Sequence, residues 1–161
     1  MSSHAPIHAS RSEVEQIRRF SGSVRETTVR RAVITLINAY ARSRDLLLCE
    51  ELDYRNLRRK KTVRPDGTMK NTLRLDYGFW ESKDTDDDLT DEIAKKFDRG
   101  YPDFNILFED SQTAILYQDG SRRLTAPFAE DEPLHELLTA YVSFENHDLM
   151  EFRKAVWNSA H

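Results

Sequence analysis

The clearest hydrophobic periodicity along the chain lies between Ser23 and Arg42. Apolar residues recur there at helical spacing, and they are Val29, Ala32, Val33, Leu36, Ile37, Tyr40 and Ala41. Ser23 and Glu26 have the spacing of a capping box, in which two side chains satisfy each other's exposed amides at the start of a helix. The pattern predicts one long amphipathic helix with its apolar stripe facing a sheet.

Strand patterns lie on both sides of a second predicted helix. An acid-rich cap at residues 85–88 begins this helix, and Gly100 fits the left-handed residue after its end. The turn signal Pro65-Asp66-Gly67 separates the first two strands. Strands are predicted at residues 46–54, 69–75, 79–83, 105–108, 113–117 and 123–127, and two closing helices at roughly 131–144 and 147–158.

This order of elements predicts an α/β fold. Three strands followed by a helical crossover give a mixed β-sheet flanked by helices. Residues 1–22 are expected to form a flexible N-terminal segment, disordered over 1–10 and with a short helix at 12–20. Residues 23–161 are expected to form a single domain, which suits the length of the chain.

Composition excludes several classes of protein. The chain has 39% apolar and 32% charged residues, and no apolar run approaches the roughly 20 residues that a membrane helix needs. The N-terminus lacks a secretory signal, so we expect a cytoplasmic protein that has no membrane partner. The single Cys49 excludes an internal disulfide and a cysteine-based zinc site. The five histidines are scattered and no pair is expected to have a metal-ligand spacing, so zinc is not expected.

The charges are segregated, although the net charge of −4 argues against a wholly basic DNA-coating protein. A basic stretch covers residues 55–64, and an acidic stretch covers residues 84–91. Such a chain can contact phosphates with one segment and keep cation-binding acids elsewhere. Two solvated loops are the simpler explanation of the same pattern.

Glu81-Ser82-Lys83 carries the candidate chemistry. Because side chains alternate along a strand, Glu81 and Lys83 lie on the same side. Glu81 is suited to hold Mg²⁺, and Lys83 is suited to orient the attacking water or to offset charge in the transition state of phosphodiester cleavage. A second acidic ligand is normally needed, since Mg²⁺ prefers about six oxygen ligands.

The position of that second ligand depends on the hairpin. With a turn centred on Asp76-Tyr77, Glu81 pairs opposite roughly Thr72, and the best-placed position is occupied by Asn71 or Thr72 rather than by a carboxylate. Asp76 lies in the turn, and Asp66 approaches Glu81 only if the hairpin is irregular. The candidates for the catalytic set are therefore Glu81, Lys83, Asn71, Asp66 and Asp76.

Longer segments resemble the N-terminal region of type ISP-like restriction–modification enzymes. Among the best matches are Gly78-Phe79-Trp80-Glu81-Ser82-Lys83-Asp84 and the segment at residues 95–102. The others lie at residues 26–32, 51–55, 64–71, 87–89, 105–110 and 114–120. Enzymes of that family combine a nuclease domain with an N6-adenine DNA methyltransferase, and many also carry a helicase motor.

The resemblance implies a PD-(D/E)xK nuclease with a restriction-endonuclease-like fold and Mg²⁺ as cofactor. Glu81 and Lys83 would be its E-x-K pair. In many relatives an aspartate occupies the position matched to Asn71. Three outcomes stay open: Asp66 or Asp76 substitutes, the Asn71 amide oxygen suffices as a weak ligand, or the domain is catalytically impaired. The missing methyltransferase predicts an excised domain, one half of a split gene or a truncated remnant.

Further metal ligands and DNA contacts complete the prediction. Glu81 and Asn71 are the first metal candidates, with Glu26 and Glu51 as additional ones, although Glu26 also suits the capping box and Glu51 a solvated strand face. Basic and flanking residues are expected at the DNA backbone, and they are Arg58, Arg59, Lys60, Lys61, Arg64, Lys95, Lys96 and Tyr101.

These observations predict a Mg²⁺-dependent endodeoxyribonuclease domain of a restriction–modification system. Its expected partners are double-stranded DNA and methyltransferase or specificity domains of the same or a partner chain. The alternative is a catalytically impaired nuclease-fold domain that serves a DNA methyltransferase as a DNA-binding or scaffolding module. Asn71 is the residue that favours this alternative.

Overall fold

The computed structural model describes residues 4–21, 26–83 and 88–145, without the side chains of residues 17–21 and 26–28. Its helices are α1 (Ala5–Ser21), α2 (Glu26–Ala41), α3 (Leu89–Asp98) and α4 (Asp131–Val142). Its strands are β1 (Leu47–Glu50), β2 (Tyr54–Asn56), β3 (Lys61–Val63), β4 (Gly67–Lys70), β5 (Asp76–Ser82), β6 (Asn105–Glu109), β7 (Thr113–Gln118) and β8 (Ser121–Pro127).

The central sheet has six strands in the order β1-β4-β5-β6-β7-β8. Strands β5 and β6 run parallel, with α3 as the crossover between them, and all other neighbours are antiparallel. The predicted α/β fold, a mixed sheet flanked by helices, is confirmed.

Side-chain alternation divides the core into two layers. Trp80, Leu107 and Leu116 pack with α1, α2 and α4 on one face of the sheet. Phe79, Ile106 and Phe108 pack on the other face with α3 and with the β2–β3 hairpin. Successive residues of β5 therefore belong to opposite layers, and Glu81 follows Phe79 onto the α3 side.

The predicted strand at residues 46–54 is split in the structure. Glu51 adopts a left-handed φ of 53° and ends β1, while its backbone N–H donates to the Asp66 carbonyl at 3.1 Å. Tyr54 then begins a separate hairpin with β3. Gly100 has a φ of 105°, as expected after a helix end, and a Cβ there would approach the Lys61 side chain at 3.2 Å.

The N-terminal helix begins earlier than predicted. It starts at Ala5 rather than near Ser12, and Ile7 is 1% exposed in the core. The expected disorder of residues 1–10 is thus wrong from Ala5 onward, because one apolar side chain anchors the first turn. The capping residue Ser23 and the helix predicted at 147–158 lie outside the described residues. No helix within the described ranges is long and apolar enough to cross a membrane.

Candidate active site

Glu81 lies near the end of β5, in the centre of the sheet. Its side chain is buried, with only 3% of the residue exposed, on the face covered by α3. Lys83 extends the strand by one step, because its backbone N–H donates to the Glu109 carbonyl at 2.8 Å. Both side chains contact α3, which confirms that they lie on the same side of the strand.

Asp66 is the acid that faces Glu81. Gly67 at the start of β4 pairs with Trp80, so Asp66, which precedes the strand, lies opposite Glu81. The Asp66 backbone N–H donates to Glu81 Oε1 at 2.9 Å, and the Ser82 backbone N–H donates to Asp66 Oδ2 at 2.8 Å. Two reciprocal hydrogen bonds therefore hold the two carboxylates side by side.

The predicted hairpin register is wrong. The turn spans Asn71 to Leu75 instead of being centred on Asp76-Tyr77, because Asn71 Oδ1 accepts the backbone N–H groups of Leu73 at 2.9 Å and Leu75 at 3.0 Å. Arg74 supplies the left-handed conformation that closes the turn, with a φ of 62°. Lys70 consequently pairs with Asp76, and Glu81 does not pair opposite Thr72.

Asn71 and Asp76 therefore lie at the far end of the hairpin from Glu81. Five residues of chain separate Asn71 from Asp66, roughly 15 Å of extended strand. The Asn71 side chain caps the turn, and Asp76 forms an ion pair of 2.6 Å with Lys70. The structure brings neither residue to Glu81. Of the three candidates Asn71, Asp76 and Asp66, Asp66 is the one that lies beside Glu81.

Helix α3 places a side chain of opposite charge beside each of Glu81 and Lys83. Lys96 Nζ lies 2.8 Å from Glu81 Oε2, and Glu92 Oε2 lies 3.3 Å from Lys83 Nζ. Glu92 and Lys96 are one helical turn apart and Glu81 and Lys83 are two strand residues apart, so the ion pairs form two parallel rungs. Glu92 was not singled out from the sequence, where it is one acid among many.

Lys96 and Tyr101 were expected at the DNA backbone, and the structure buries both, with 8% of each residue exposed. The Lys96 ammonium lies 4.8 Å from the centre of the Tyr101 ring and 3.4 Å from its hydroxyl. The Tyr101 hydroxyl in turn lies 3.4 Å from the Arg64 carbonyl. Both residues support the Glu81 carboxylate from within, and the neighbouring Lys95 is the exposed one.

The electrostatics of this pair are set by burial and by neighbouring charges. Burial raises the pKa of Glu81, the nearby Asp66 charge raises it further, and hydrogen bonding and charge from Lys96 oppose both effects. The hydrogen bond from Lys83 holds the pKa of Glu92 below its usual value. Lys96 at Glu81 and Arg30 at Asp66 supply one cation for each carboxylate, and a metal ion would bind as an additional cation.

The donor set of Asp66 and Glu81 fits Mg²⁺. All four carboxylate oxygens are hard donors, and each has an identified hydrogen-bond or ion-pair partner; Asp66 Oδ1, for example, pairs with Arg30 at 3.2 Å. A carboxylate oxygen accepts about two interactions, so each oxygen keeps capacity for a metal. Mg²⁺ is commonly bound by one or two carboxylates and several waters.

The two additional metal candidates differ in position. Glu51 is exposed and touches the site through its backbone bond to Asp66. Glu26 begins α2, and its side chain lies outside the described part of the chain. Arg30, which was missed from the sequence, reaches the site from the same helix and stacks over the Trp80 ring at 5.1 Å.

The basic segment forms the β2–β3 hairpin beside α3. Some of its cations are engaged within the protein: Arg59 and Lys61 donate to the Asp98 carbonyl at 3.2 and 3.3 Å, and Arg64 pairs with Asp53 at 2.8 Å. Arg58 and Lys60 form no ion pair among the described residues, and the adjacent Leu57 is 81% exposed at the hairpin tip. The cations of the hairpin are exposed, and Arg58 and Lys60 lie beside an exposed apolar side chain at its tip.

Glu109 is a buried carboxylate that sequence analysis also missed. It lies on the opposite face of the sheet, where Trp80 Nε1 donates to it at 3.2 Å and the Ser111 backbone N–H at 2.5 Å. Burial raises its pKa to about 7, although the Ser82 hydroxyl, Ser111 and Trp80 hydrogen bonds lower it. It supports the end of β5 from behind the Asp66–Glu81 pair.

Comparison with solved structures places this geometry in a known fold. A chain of the DrdV–DNA complex, determined by cryo-electron microscopy, has a TM-score of 0.85 and 37% sequence identity over 96% of this chain. This chain spans 15% of that chain's length. A crystal structure of a putative nuclease belonging to DUF820 from Anabaena variabilis has a TM-score of 0.43 and 13% identity, covering 88% of this chain and 83% of that one. No protein-family model and no curated protein matches the sequence.

The fold is restriction-endonuclease-like, as the sequence predicted. One sequence signal points to Asp66. Pro65-Asp66 and Glu81-Ser82-Lys83 together match the motif after which the PD-(D/E)xK nucleases are named. Pro65-Asp66-Gly67 is also a common turn sequence, so the local pattern favours a turn at this place.

Proposed function

We propose that this chain is the Mg²⁺-dependent nuclease domain of a restriction–modification protein. The reciprocal hydrogen bonds between Asp66 and the Glu81-Ser82 segment are the observation that carries the proposal, because they juxtapose two carboxylates beside a lysine. The likeness to a chain of a DNA complex supports DNA as the substrate. That relative is much longer, so the proposal includes methyltransferase and specificity domains on the same or a partner chain.

The residues divide the work of phosphodiester hydrolysis between them. Asp66 and Glu81 would hold the metal, and Lys96 would keep Glu81 ionised until the metal binds. The chemistry supplied by Mg²⁺ at this position is polarisation of the phosphate and activation of a water. Lys83 would break its ion pair with Glu92, and its ammonium group would then orient that water and offset charge on the phosphate.

A comparison of Asp66→Asn, Glu81→Gln and Asn71→Asp tests this assignment. We expect the first two variants to lose Mg²⁺-dependent plasmid cleavage by about 100-fold or more, because each removes a ligand charge. They should also lose binding of Ca²⁺, measured by calorimetry. Asn71→Asp is the matched control at the far end of the hairpin, and it should cleave and bind metal like the wild type.

Two outcomes would contradict the proposal. A large gain of cleavage in Asn71→Asp, with no effect of Asp66→Asn, would mean that the hairpin register is wrong. If the wild type and Glu81→Gln bind DNA equally and both cleave it very little, the result would favour the second candidate function, a non-catalytic DNA-binding or scaffolding domain. The charged residues of the site would then serve the fold alone.

A further inference from the structure

A second cluster of metal-binding side chains lies where α1 meets α4. His4 precedes α1 and His8 lies four residues later, so one helical turn brings their rings to the same side. One ligand atom each from His4, His8 and Asp131 lies within 4.8 Å of the other two. His8 Nε2 is 2.7 Å from Asp131 Oδ2, and His4 Nε2 is 3.4 Å from Glu132 Oε1. The expectation that no histidine pair has a metal-ligand spacing is therefore wrong.

We propose that His4, His8 and Asp131 bind a transition-metal ion of the Zn²⁺ type, which fastens α1 to the start of α4. Two imidazoles and one carboxylate are ligands that Zn²⁺ accepts, and a water or Glu132 completes four-coordination. This donor set does not suit Mg²⁺, which takes oxygen ligands. The site is separate from Asp66 and Glu81, and the proposal of a metal ion there does not depend on the proposed nuclease function.

The surroundings of Asp131 have the form of a support for a metal ligand. The Arg11 guanidinium donates to Asp131 Oδ1, and it also donates to the Phe128 carbonyl from Nε at 3.2 Å. Arg11 thereby fixes the carboxylate while Oδ2 faces His8. Ligating carboxylates in metalloproteins are usually oriented by such hydrogen bonds.

A third imidazole lies beside the cluster. The centre of the His135 ring is 5.0 Å from that of His4, and His135 Nδ1 is 2.7 Å from the Tyr40 hydroxyl. His135 on α4, held by Tyr40 on α2, thus lies against one side of His4. Ordering α1 in this way also secures Ile7, the anchor of that helix in the core.

The test is binding of Zn²⁺ and Co²⁺ to the whole chain. We expect one equivalent of Co²⁺ to give the visible absorption of a four- or five-coordinate site, and Zn²⁺ to displace it and raise the Tm. His8→Ala and Asp131→Asn should weaken Zn²⁺ binding by more than about tenfold, since each removes one of three ligands. The Asp66→Asn/Glu81→Gln variant is the control, and it should bind Zn²⁺ at this site like the wild type.

Circular dichroism without metal distinguishes loss of the site from loss of the fold. If His8→Ala lowers the Tm without metal, His8→Gln, which keeps a polar side chain of similar reach, replaces it in the titration. The proposal is overturned if the wild type gives no Co²⁺ absorption, or if the His4→Ala/His8→Ala variant binds Zn²⁺ as tightly as the wild type. It is also overturned if the Asp66→Asn/Glu81→Gln control abolishes the Co²⁺ signal.

Discussion

Single residues of the site are tuned by what buries them. Glu81 is almost fully buried, and an isolated carboxylate there would be strongly destabilising. Lys96 offsets this cost at 2.8 Å, and Tyr101 covers the lysine in turn. A buried ion pair of this kind stabilises the fold little by itself, but removing one partner leaves the other charge buried without a counterion.

Replacing Lys96 by Met should therefore be costly. We expect the free energy of unfolding to fall by about 3 kcal/mol, because Glu81 loses its buried counterion. The Glu81→Gln/Lys96→Met double variant should recover most of that loss, since neither charge is left alone. Urea denaturation at neutral pH measures both.

Lys83→Met is the matched control for that experiment. Its partner Glu92 is more exposed than Glu81, so the loss of this ion pair should destabilise the fold much less. Equal destabilisation by the two single substitutions would contradict the special role of the Lys96 pair.

Glu109 gives the protein a pH-dependent stability. Its pKa is about 7 in the folded state and 4.5 when unperturbed, so between these values the folded state binds more protons than the unfolded one. The stabilisation from protonated Glu109 is fully present below pH 4.5 and is lost as the pH rises through 7, which lowers the free energy of unfolding by up to about 3 kcal/mol. Glu109→Gln should remove this dependence of the free energy of unfolding on pH, as urea denaturation from pH 5 to pH 8 would show. If Glu109→Gln and the exposed Glu136→Gln keep the same slope as the wild type, Glu109 is not the responsible group.

At the scale of elements, the site is made by β5 and α3 together. The strand presents Glu81 and Lys83 with period two, and the helix presents Glu92 and Lys96 with a spacing of four. Asp88 caps α3 by accepting the backbone N–H groups of Thr90 and Asp91, and this fixes where the helix begins.

The Glu92–Lys83 pair restrains the lysine that the proposed reaction needs. Glu92→Gln should free Lys83 for phosphate and tighten duplex binding by about tenfold, the equivalent of one charge-assisted hydrogen bond. Fluorescence anisotropy in Ca²⁺ measures this without cleavage. Asp91→Asn removes the same charge from the same helical turn, and an equal gain in both variants would mean that only net charge matters.

For the whole molecule, the distribution of charge matters more than its sum. The net charge is −4, yet the β2–β3 hairpin presents Arg58 and Lys60 to solvent on the side of the sheet covered by α3. Binding to a polyanion should therefore be local and should depend on few contacts. Contacts of that kind go to phosphates and carry no sequence information.

Neutralising Arg58 and Lys60 together should weaken binding to unrelated duplexes to the same extent. The slope of the logarithm of the binding constant against the logarithm of salt concentration should become shallower by about 2, roughly one per lost phosphate contact. Arg123→Ser, on exposed β8, is the control and should leave the slope unchanged. A loss confined to one DNA sequence would contradict the assignment.

Much of the architecture was predictable because it depends on local periodicity. The helices α2, α3 and α4 and the strands β6 and β7 follow patterns that a short window contains. The split at Glu51 was missed because a left-handed φ at a glutamate ends β1, and no local pattern predicts that conformation for this residue type. The start of α1 was missed because only the core shows that Ile7 is an anchor.

The sequence by itself determined that Glu81 and Lys83 share one side of a strand, since the two-residue period of a strand requires it. Only the tertiary structure decided which groups they meet. The turn at Asn71 sets a register that brings Asp66 to Glu81, and the crossover helix brings Lys96 and Glu92. Those partners are joined by packing between segments distant in the chain, and no local pattern encodes such contacts.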